Sequence, residues 1–356
     1  MATLSRFLRL RPLPSSFWQY STPKLPPLRI LFAGSDNFSA TSLSALHQAH
    51  VTDPSLIGSI DVLCREDGRT GRKRDILKEV PIKAVAQNLG LPLHTISSFK
   101  DFQLSTSSFD LIIAVSFGLF IPASIITSLP YGGLNVHPSL LPRYRGAAPI
   151  QRTLLNHDAE TGVTIQTLDT KRFDHGAILM QSSPPVKIYP RTSYHALHDK
   201  LAVRGAEMLV ETLRRQLFVP PISAVQNTYE ASLAPKITPE DAHIDWAAWG
   251  ADEMELRAEM LGEVWTELGY EMEQPDVPRK RAILYDIKAL DFTPELDIPV
   301  GCFRYLKREY QEMMVLKCKD GEWVRVGAVK VEGKRVVEGG TWIRSLQKRG
   351  IGRRFY

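Results

Sequence analysis

From residue 28 to about residue 216 the chain alternates short, almost unbroken apolar runs with longer amphipathic stretches. The runs 28–34 (LRILFAG), 60–64, 91–96 and 110–115 carry no polar alternation, so each predicts a strand buried on both faces. Between them, 39–49 and 82–89 have helical spacing, and 196–216 closes the series as a long helix. Buried strands separated by helices predict an α/β fold with a doubly wound, mostly parallel, Rossmann-like sheet. The turn at Gly34 and Ser35 lacks the G-x-G-x-x-G spacing of a dinucleotide site. After Phe218 the sequence VPPIS opens a linker, giving predicted boundaries of 28–218 for the first domain, 219–235 for the linker and 236–356 for a smaller second domain. There Thr238, with Asp241 three residues on, predicts a capped helix start, and 285–290, 312–318 and 323–331 predict strands.

The 356 residues, 44% hydrophobic and 23% charged, suffice for two packed domains. Charge is unevenly spread. Residues 1–27 hold Arg6, Arg9, Arg11 and Lys24 and no acidic residue, around an apolar helical face of Leu4, Phe7, Leu8 and Leu10. Such a leader predicts a mitochondrial transit peptide and a matrix location; a chloroplast address or a disordered tail shares this composition. Taking those four cations from the 44 Lys+Arg leaves 40 against 39 Asp+Glu, so the overall pI of about 9.0 is no sign of nucleic-acid binding. The three cysteines have no metal-ligand spacing and fit a reducing compartment. No run approaches the roughly 18 apolar residues of a membrane span. A monomer without membrane attachment or bound metal is expected.

The densest chemistry lies at 132–150, GGLNVHPSLLPRYRGAAPI. Two positions apart in an extended run, Asn135 and His137 leave the same face. An amide and an imidazole side by side can hold the oxygen of an acyl carbon that becomes tetrahedral, and the imidazole can move a proton. From spacing alone, a structural histidine that hydrogen-bonds at a strand end is the commoner reading. Arg143 and Arg145 follow, with guanidinium forks that match carboxylate or phosphate. Residues 65–78 form a second basic stretch, with six cations against Glu66, Asp67 and Asp75; a solvated face is its plain reading. The segment 116–122, SFGLFIP, reads as a strand-to-helix turn with an apolar plug.

The run from Asn135 to Gly146, with Asp174, His175 and Gly176 in the later segment TGVTIQTLDTKRFDHGAILMQ, resembles the signature of the folate-dependent formyltransferases, especially those that act on methionyl-tRNA. The resemblance implies a catalytic trio of Asn135, His137 and Asp174. It implies a pocket for the co-substrate 10-formyltetrahydrofolate from Phe117, Gly118, Leu119 and Phe120 together with Ser139, Leu140, Leu141 and Pro142. It also implies initiator methionyl-tRNA as acceptor, tetrahydrofolate as product, and tRNA contacts from Arg65, Arg69, Arg72, Lys73 and Arg74, with Arg143 and Arg145 near the site. The second domain would be a small β-barrel of the oligonucleotide-binding kind that holds tRNA.

The resemblance covers residues 28–246 well and the rest loosely. Residues 262–275, GEVWTELGYEMEQP, are acidic and depart from the family pattern. The tail 334–356 has seven basic residues and only Glu338, which leaves a phosphate-binding patch and a solubilising tail both open. The nearer rival function is formyl transfer to a small acceptor or hydrolysis of the formyl folate; the farther one is a non-catalytic RNA-binding module.

Overall fold

The computed structural model describes residues 25–70, 76–100, 108–226, 229–270, 279–308, 311–347 and 353–355. The leader up to residue 24 and the expected tRNA contacts Arg72, Lys73 and Arg74 lie outside the described residues.

The first domain runs β1 (Leu28–Gly34), α1 (Asn37–Thr52), β2 (Ile57–Arg65), a hairpin of β3 (Gly68–Thr70) and β4 (Ile76–Lys78), α2 (Ile82–Asn88), β5 (Leu93–Ile96), β6 (Leu111–Val115), α3 (Ala123–Ser128) and β7 (Gly133–His137). It continues with α4 (Pro149–Leu155), β8 (Glu160–Thr161), β9 (Thr164–Thr167), β10 (Ile178–Gln181), β11 (Val186–Lys187) and α5 (Tyr194–Arg214). The expected parallel strands are present, in the order β5-β2-β1-β6-β7. The order reverses between β1 and β6, which opens a crevice at the strands' carboxyl ends. Beyond β7 the sheet turns antiparallel through β9 and β10, an extension the apolar runs did not reveal.

Alternate residues of each strand feed two separate cores, as a sheet covered on both faces requires. Ile30, Phe32, Ile113, Val115, Leu134 and Val136 pack with α1 and α5. Leu31, Ala33, Leu63, Ile112 and Ala114 pack on the other face with Phe117, Ile121 and Ile126. Helix α1 begins two residues before the expected start because Asp36 caps it, accepting from Ser39 N at 2.9 Å. Helix α5 is capped by Ser193 and lies close enough to the sheet that a Cβ on Gly205 would sit 2.9 Å from Val136 Cγ1.

The second domain contains α6 (Ala251–Leu261), β12 (Val264–Tyr270), β13 (Lys280–Ala289), β14 (Phe303–Arg308), β15 (Gln311–Lys317), β16 (Trp323–Val331), β17 (Val337–Glu338), α7 (Gly339–Gln347) and β18 (Arg353–Phe355). Its antiparallel order, β14-β15-β16-β13-β12-β18, brings the outer strands β14 and β18 against each other in a barrel-like sheet. The expected strands fall on β13, β15 and β16. Two stretches read for their charge also take structural roles. The acidic stretch supplies β12, because Val264, Thr266 and Leu268 turn inward while Glu267 faces out. The described helix of the basic tail has a structural role, since Trp342, Ile343 and Leu346 of α7 enter the core. The Thr238 capping box is formed, yet it starts only a 3-10 turn, Pro239–Ala242, because Ile244 N is taken by Trp265 O at 2.9 Å.

The linker is docked, not free. Val225 N donates to Ile178 O at 2.7 Å, and residues 232–234 lie along residues 142–148. Arg152 of α4 then grips Asp241 through both oxygens, at 2.7 and 2.9 Å, and donates to the carbonyls of Pro235 and Lys236. Burial pushes the Asp241 carboxyl up, but the Arg152 guanidinium and the Thr238 N–H outweigh it and hold the group below the usual carboxylate range.

Two outcomes are expected. Replacing Gly205 with Leu forces α5 off β7 and destabilises the chain by about 1–3 kcal/mol in urea unfolding. A depressed folded pKa contributes stability above the unfolded value of about 3.9 and loses it as pH falls through the folded value. Asp241→Asn is therefore less stable than the parent at pH 7, and the gap narrows below about pH 4 in thermal melts.

Candidate active site

Strand β7 is buried except at Asn135, whose side chain and that of His137 share a face while Leu134 and Val136 enter the core behind. Pairing with β9 sets Gln166 directly opposite Asn135, and pairing with β6 sets Ala114 on its other side. On this face the loop 168–177 folds across Asn135, held by Leu168 N donating to Gly133 O at 2.8 Å.

That loop brings Asp174 to the pair. Its Oδ1 accepts from Asn135 Nδ2 at 3.0 Å and from Gln166 Nε2 at 3.1 Å, and lies 3.4 Å from His137 Nδ1. Its Oδ2 accepts from Gly146 N at 2.9 Å, and its own carbonyl accepts from Arg145 Nε at 2.8 Å. Asp174 takes a left-handed φ of 56°, which aspartate tolerates better than most side chains. Gly176, two residues on, passes so near β9 that a Cβ would fall 1.7 Å from Thr167 O. Glycine is the residue that lets the loop close.

The histidine has a defined tautomer. His137 Nε2 lies 2.8 Å from Tyr144 O, and a carbonyl only accepts, so Nε2 carries the proton. Nδ1 is left facing Asp174 and the cavity. Neutral, it is a proton acceptor; protonated, it is a donor backed by a carboxylate. The imidazole and carboxylate side chains are 6% and 8% exposed, so water screens the pair little.

Beside the trio is a cavity of about 520 Å³, within the range of a folded cofactor site. One arm is lined by Phe117, Gly118, Leu119, Phe120 and Ile121, as expected for four of these, with Ile126 and Leu168 beneath. Phe120 and Phe173, 38% and 59% exposed, meet edge to face at 5.0 Å between centroids at its mouth. The other arm, past His137, holds Asp36, Phe38, Gln151, Tyr194 and His198. Burial pushes the Tyr194 phenol up, with the Asp36 and Asp199 charges adding, so it remains a hydroxyl donor at neutral pH.

Other expected residues lie elsewhere. Ser139, Leu140, Leu141 and Pro142 do not line this cavity: Ser139 Oγ is spent on Arg143 O at 2.6 Å, and Leu140 and Leu141 are buried under the loop, with Leu141 N bound to Thr164 Oγ1. They support the floor. Arg143 is paired with Asp158 at 2.8 Å. Arg65 reaches the cavity loop, 3.6 Å from where a Cβ of Gly118 would stand, and Arg69 lies on β3. Gln166 and Gly146 were not expected; the alternating TIQT run that places Gln166 on a strand face was the available signal. Among the described residues no group of three or more His, Cys, Asp or Glu side chains is arranged to hold a metal ion, and no helix is long and apolar enough to cross a membrane.

Known proteins resemble this chain in sequence and in fold. A family model described as formyl transferase matches residues 28–213. The mitochondrial methionyl-tRNA formyltransferase of Saccharomyces cerevisiae is 34% identical over an alignment of 372 positions, gaps included, covering 92% of each chain. The methionyl-tRNA formyltransferase of Marinobacter nauticus is 36% identical over 224, covering 62% of this chain and 69% of its own. Among solved structures, the sugar 3N-formyl transferase WlaRD, determined in the presence of dTDP and 5-N-formyl-THF, superposes with a TM-score of 0.52 at 15% identity, over 86% of this chain and 99% of its own. At that identity the likeness is one of fold.

Removing the shared acceptor exposes its cost. Asp174→Ala strands the buried Gln166 amide and the half-buried donors of Asn135 and Gly146, and each unsatisfied group costs about 1–3 kcal/mol unless water enters. A clear drop in urea midpoint is expected, smaller for Asp174→Asn.

Proposed function

The chain belongs to the formyl transferase family, and on that premise we propose that it moves the formyl group of 10-formyltetrahydrofolate to the α-amino group of initiator methionyl-tRNA in the mitochondrial matrix. Formylation of methionyl-tRNA for translation initiation is its activity, with a folate derivative as donor and a mitochondrial address. The observation that carries the reading is the convergence of Asn135, His137 and Asp174 at the wall of an open cavity with an aromatic, apolar arm.

The pterin lies in the arm of Phe117, Gly118, Leu119 and Phe120, where a flat ring meets apolar walls and the loop's backbone reads its edge. The acceptor amine approaches from the arm past His137. As its nitrogen bonds to the formyl carbon, the formyl oxygen gains negative charge and takes hydrogen bonds from Asn135 Nδ2 and from the protonated Nδ1 of His137. The imidazolium gives its Nδ1 proton to the folate N10 as the carbon–N10 bond breaks, and takes in exchange the proton that the attacking amine nitrogen loses. Asp174 holds the imidazolium charge throughout and fixes the amide of Asn135. No group of the chain bonds to the formyl carbon.

The tRNA is met by local cations, Arg65 beside the cavity loop and Arg69 on the β3–β4 hairpin, with Arg72, Lys73 and Arg74 following in sequence. Domain 236–356 extends that contact, and the leader 1–27 serves as the transit peptide. Four cations in the leader and a near-neutral remainder support this local view.

The deciding experiment incubates purified chain with labelled 10-formyltetrahydrofolate and initiator or elongator methionyl-tRNA, with glycinamide ribonucleotide, an amino-sugar nucleotide and water as competing acceptors. Label on methionyl-tRNA is expected; label on a small acceptor, or binding of tRNA without turnover, overturns the reading. Asn135→Ala and His137→Ala each lower kcat by about 10²–10³, as loss of an oxyanion donor does. Gly176→Ala also lowers kcat, with the KM for methionyl-tRNA little changed, because the displaced loop carries Asp174 away from the pair.

A further inference from the structure

Part of the linker is built into the loop that holds the catalytic pair. Ser232 N donates to Pro142 O at 3.2 Å, Ala234 N to Arg145 O at 2.7 Å and Ala148 N to Ala234 O at 3.2 Å. The two segments pair so closely that a Cβ on Gly146, at φ 128°, would stand 2.6 Å from Ala234 O. Gly146 is the residue whose N–H holds Asp174 Oδ2.

Ser232 makes two further bonds, one on each side of the same residue. Its Oγ accepts from Tyr144 N at 2.9 Å, and its carbonyl accepts from Arg145 N at 2.9 Å. The first bond grips the peptide plane before Tyr144. The second grips the plane after it, the plane whose carbonyl accepts His137 Nε2–H at 2.8 Å. Between them they fix both backbone dihedrals of Tyr144, which sits at φ 60°, a left-handed conformation rare for a tyrosine. The ring is anchored independently: the Tyr144 hydroxyl donates to Asp158 Oδ2 at 2.8 Å and accepts from Asn156 Nδ2 at 2.9 Å. The residue is buried, whereas Ser232 is exposed, so the clamp reaches in from the surface.

We infer that Ser232 is a positioning residue for formyl transfer: by clamping both peptide planes of Tyr144 it aims the carbonyl that sets the tautomer and ring angle of His137. This rests on the proposed catalytic role of His137. Without the Oγ bond, the plane before Tyr144 is held only through the Arg143 carbonyl, which accepts from Ser139 Oγ at 2.6 Å; the plane tilts about that one bond, the 144 carbonyl shifts, and Nδ1 no longer meets the formyl oxygen in line. The segment that carries Ser232 enters the second domain at once, where Arg152 ties Pro235, Lys236 and Asp241 to α4. Docking of that domain and aim of the imidazole thus share one strand of chain.

The test uses the full chain with Ser232→Ala, Ser232→Thr and His137→Ala, in steady-state formylation of methionyl-tRNA. Ser232→Ala removes an exposed hydroxyl and leaves no cavity, so its melting temperature is expected within about 3 °C of the parent. Its kcat falls about 10–100-fold, the scale of a misaimed group, while KM for donor and acceptor stays near the parent's. Ser232→Thr keeps the oxygen and recovers most of the rate. Nitrogen-15 NMR of His137 reads Nε2–H in the parent and a tautomer mixture in Ser232→Ala. Parent kcat in Ser232→Ala, a loss confined to KM, or a threonine variant as slow as the alanine one overturns the inference. If His137→Ala itself turns over normally, the catalytic reading fails instead; if His137→Ala is slow and Ser232→Ala is not, only the positioning role falls.

Discussion

A single buried carboxylate ties the site together. Asp174 accepts from Asn135 on β7, from Gln166 on β9 and from the Gly146 amide of the loop that follows β7, and it faces the imidazole of His137. Three N–H groups arriving from three elements exhaust most of what two oxygens can accept in one plane. Each donor therefore has little freedom once the others are in place. The amide of Asn135 is turned with nitrogen toward the carboxylate, because the reverse orientation would set oxygen against oxygen. Several bonds that converge on one acceptor in this way specify one geometry more strongly than the same bonds would singly.

The sheet explains why such a group can stand beside an empty space. On the face of Leu134 and Val136, helices α1 and α5 close the core. On the other face, Leu31, Ala33, Ile112 and Ala114 form a smaller core that ends where the side chains become polar at Asn135 and Gln166. Covering that polar strip with a helix would bury unpaired amides. Two loops cover it instead, and between them remains a cavity open at the crevice beyond β1 and β6. The change from parallel pairing at β6 to antiparallel pairing at β9 matters here, since it sends the chain back across the face and delivers Asp174.

Much of the first domain was legible because its strands are buried on both sides and announce themselves as unbroken apolar runs. The same-face placement of Asn135 and His137 followed from a two-residue period and holds in β7. Gln166 was not legible, although its strand alternates, because its meaning depends on a register with β7 that no local pattern encodes. Ser139 to Pro142 were expected in the pocket through a motif whose residues are contiguous in sequence; in space, Thr164 and Gln181 draw them beneath the floor. In the second domain β12 was hidden by the weight given to its acidic residues, when the inward set Val264, Thr266 and Leu268 decides the matter. In the tail, the cations drew attention from Trp342, Ile343 and Leu346, which the fold buries.

Charge placement narrows how a nucleic acid is to be held. Arg143 and Arg145 flank the site and match phosphate in shape, yet Arg143 is committed to Asp158 and Arg145 to the Asp174 carbonyl. A phosphate that took either guanidinium outright would loosen the support of the trio it is meant to serve. These two arginines are thus internal struts first, with their remaining N–H groups available only in the geometry already set. The cations free of that conflict stand at the end of β2 and on the hairpin that follows, on the side of the cavity where Arg65 overlies Gly118. With the body close to neutral, attraction falls off within about 8–10 Å at physiological salt, so a polyanion is drawn to these places only after it arrives near them.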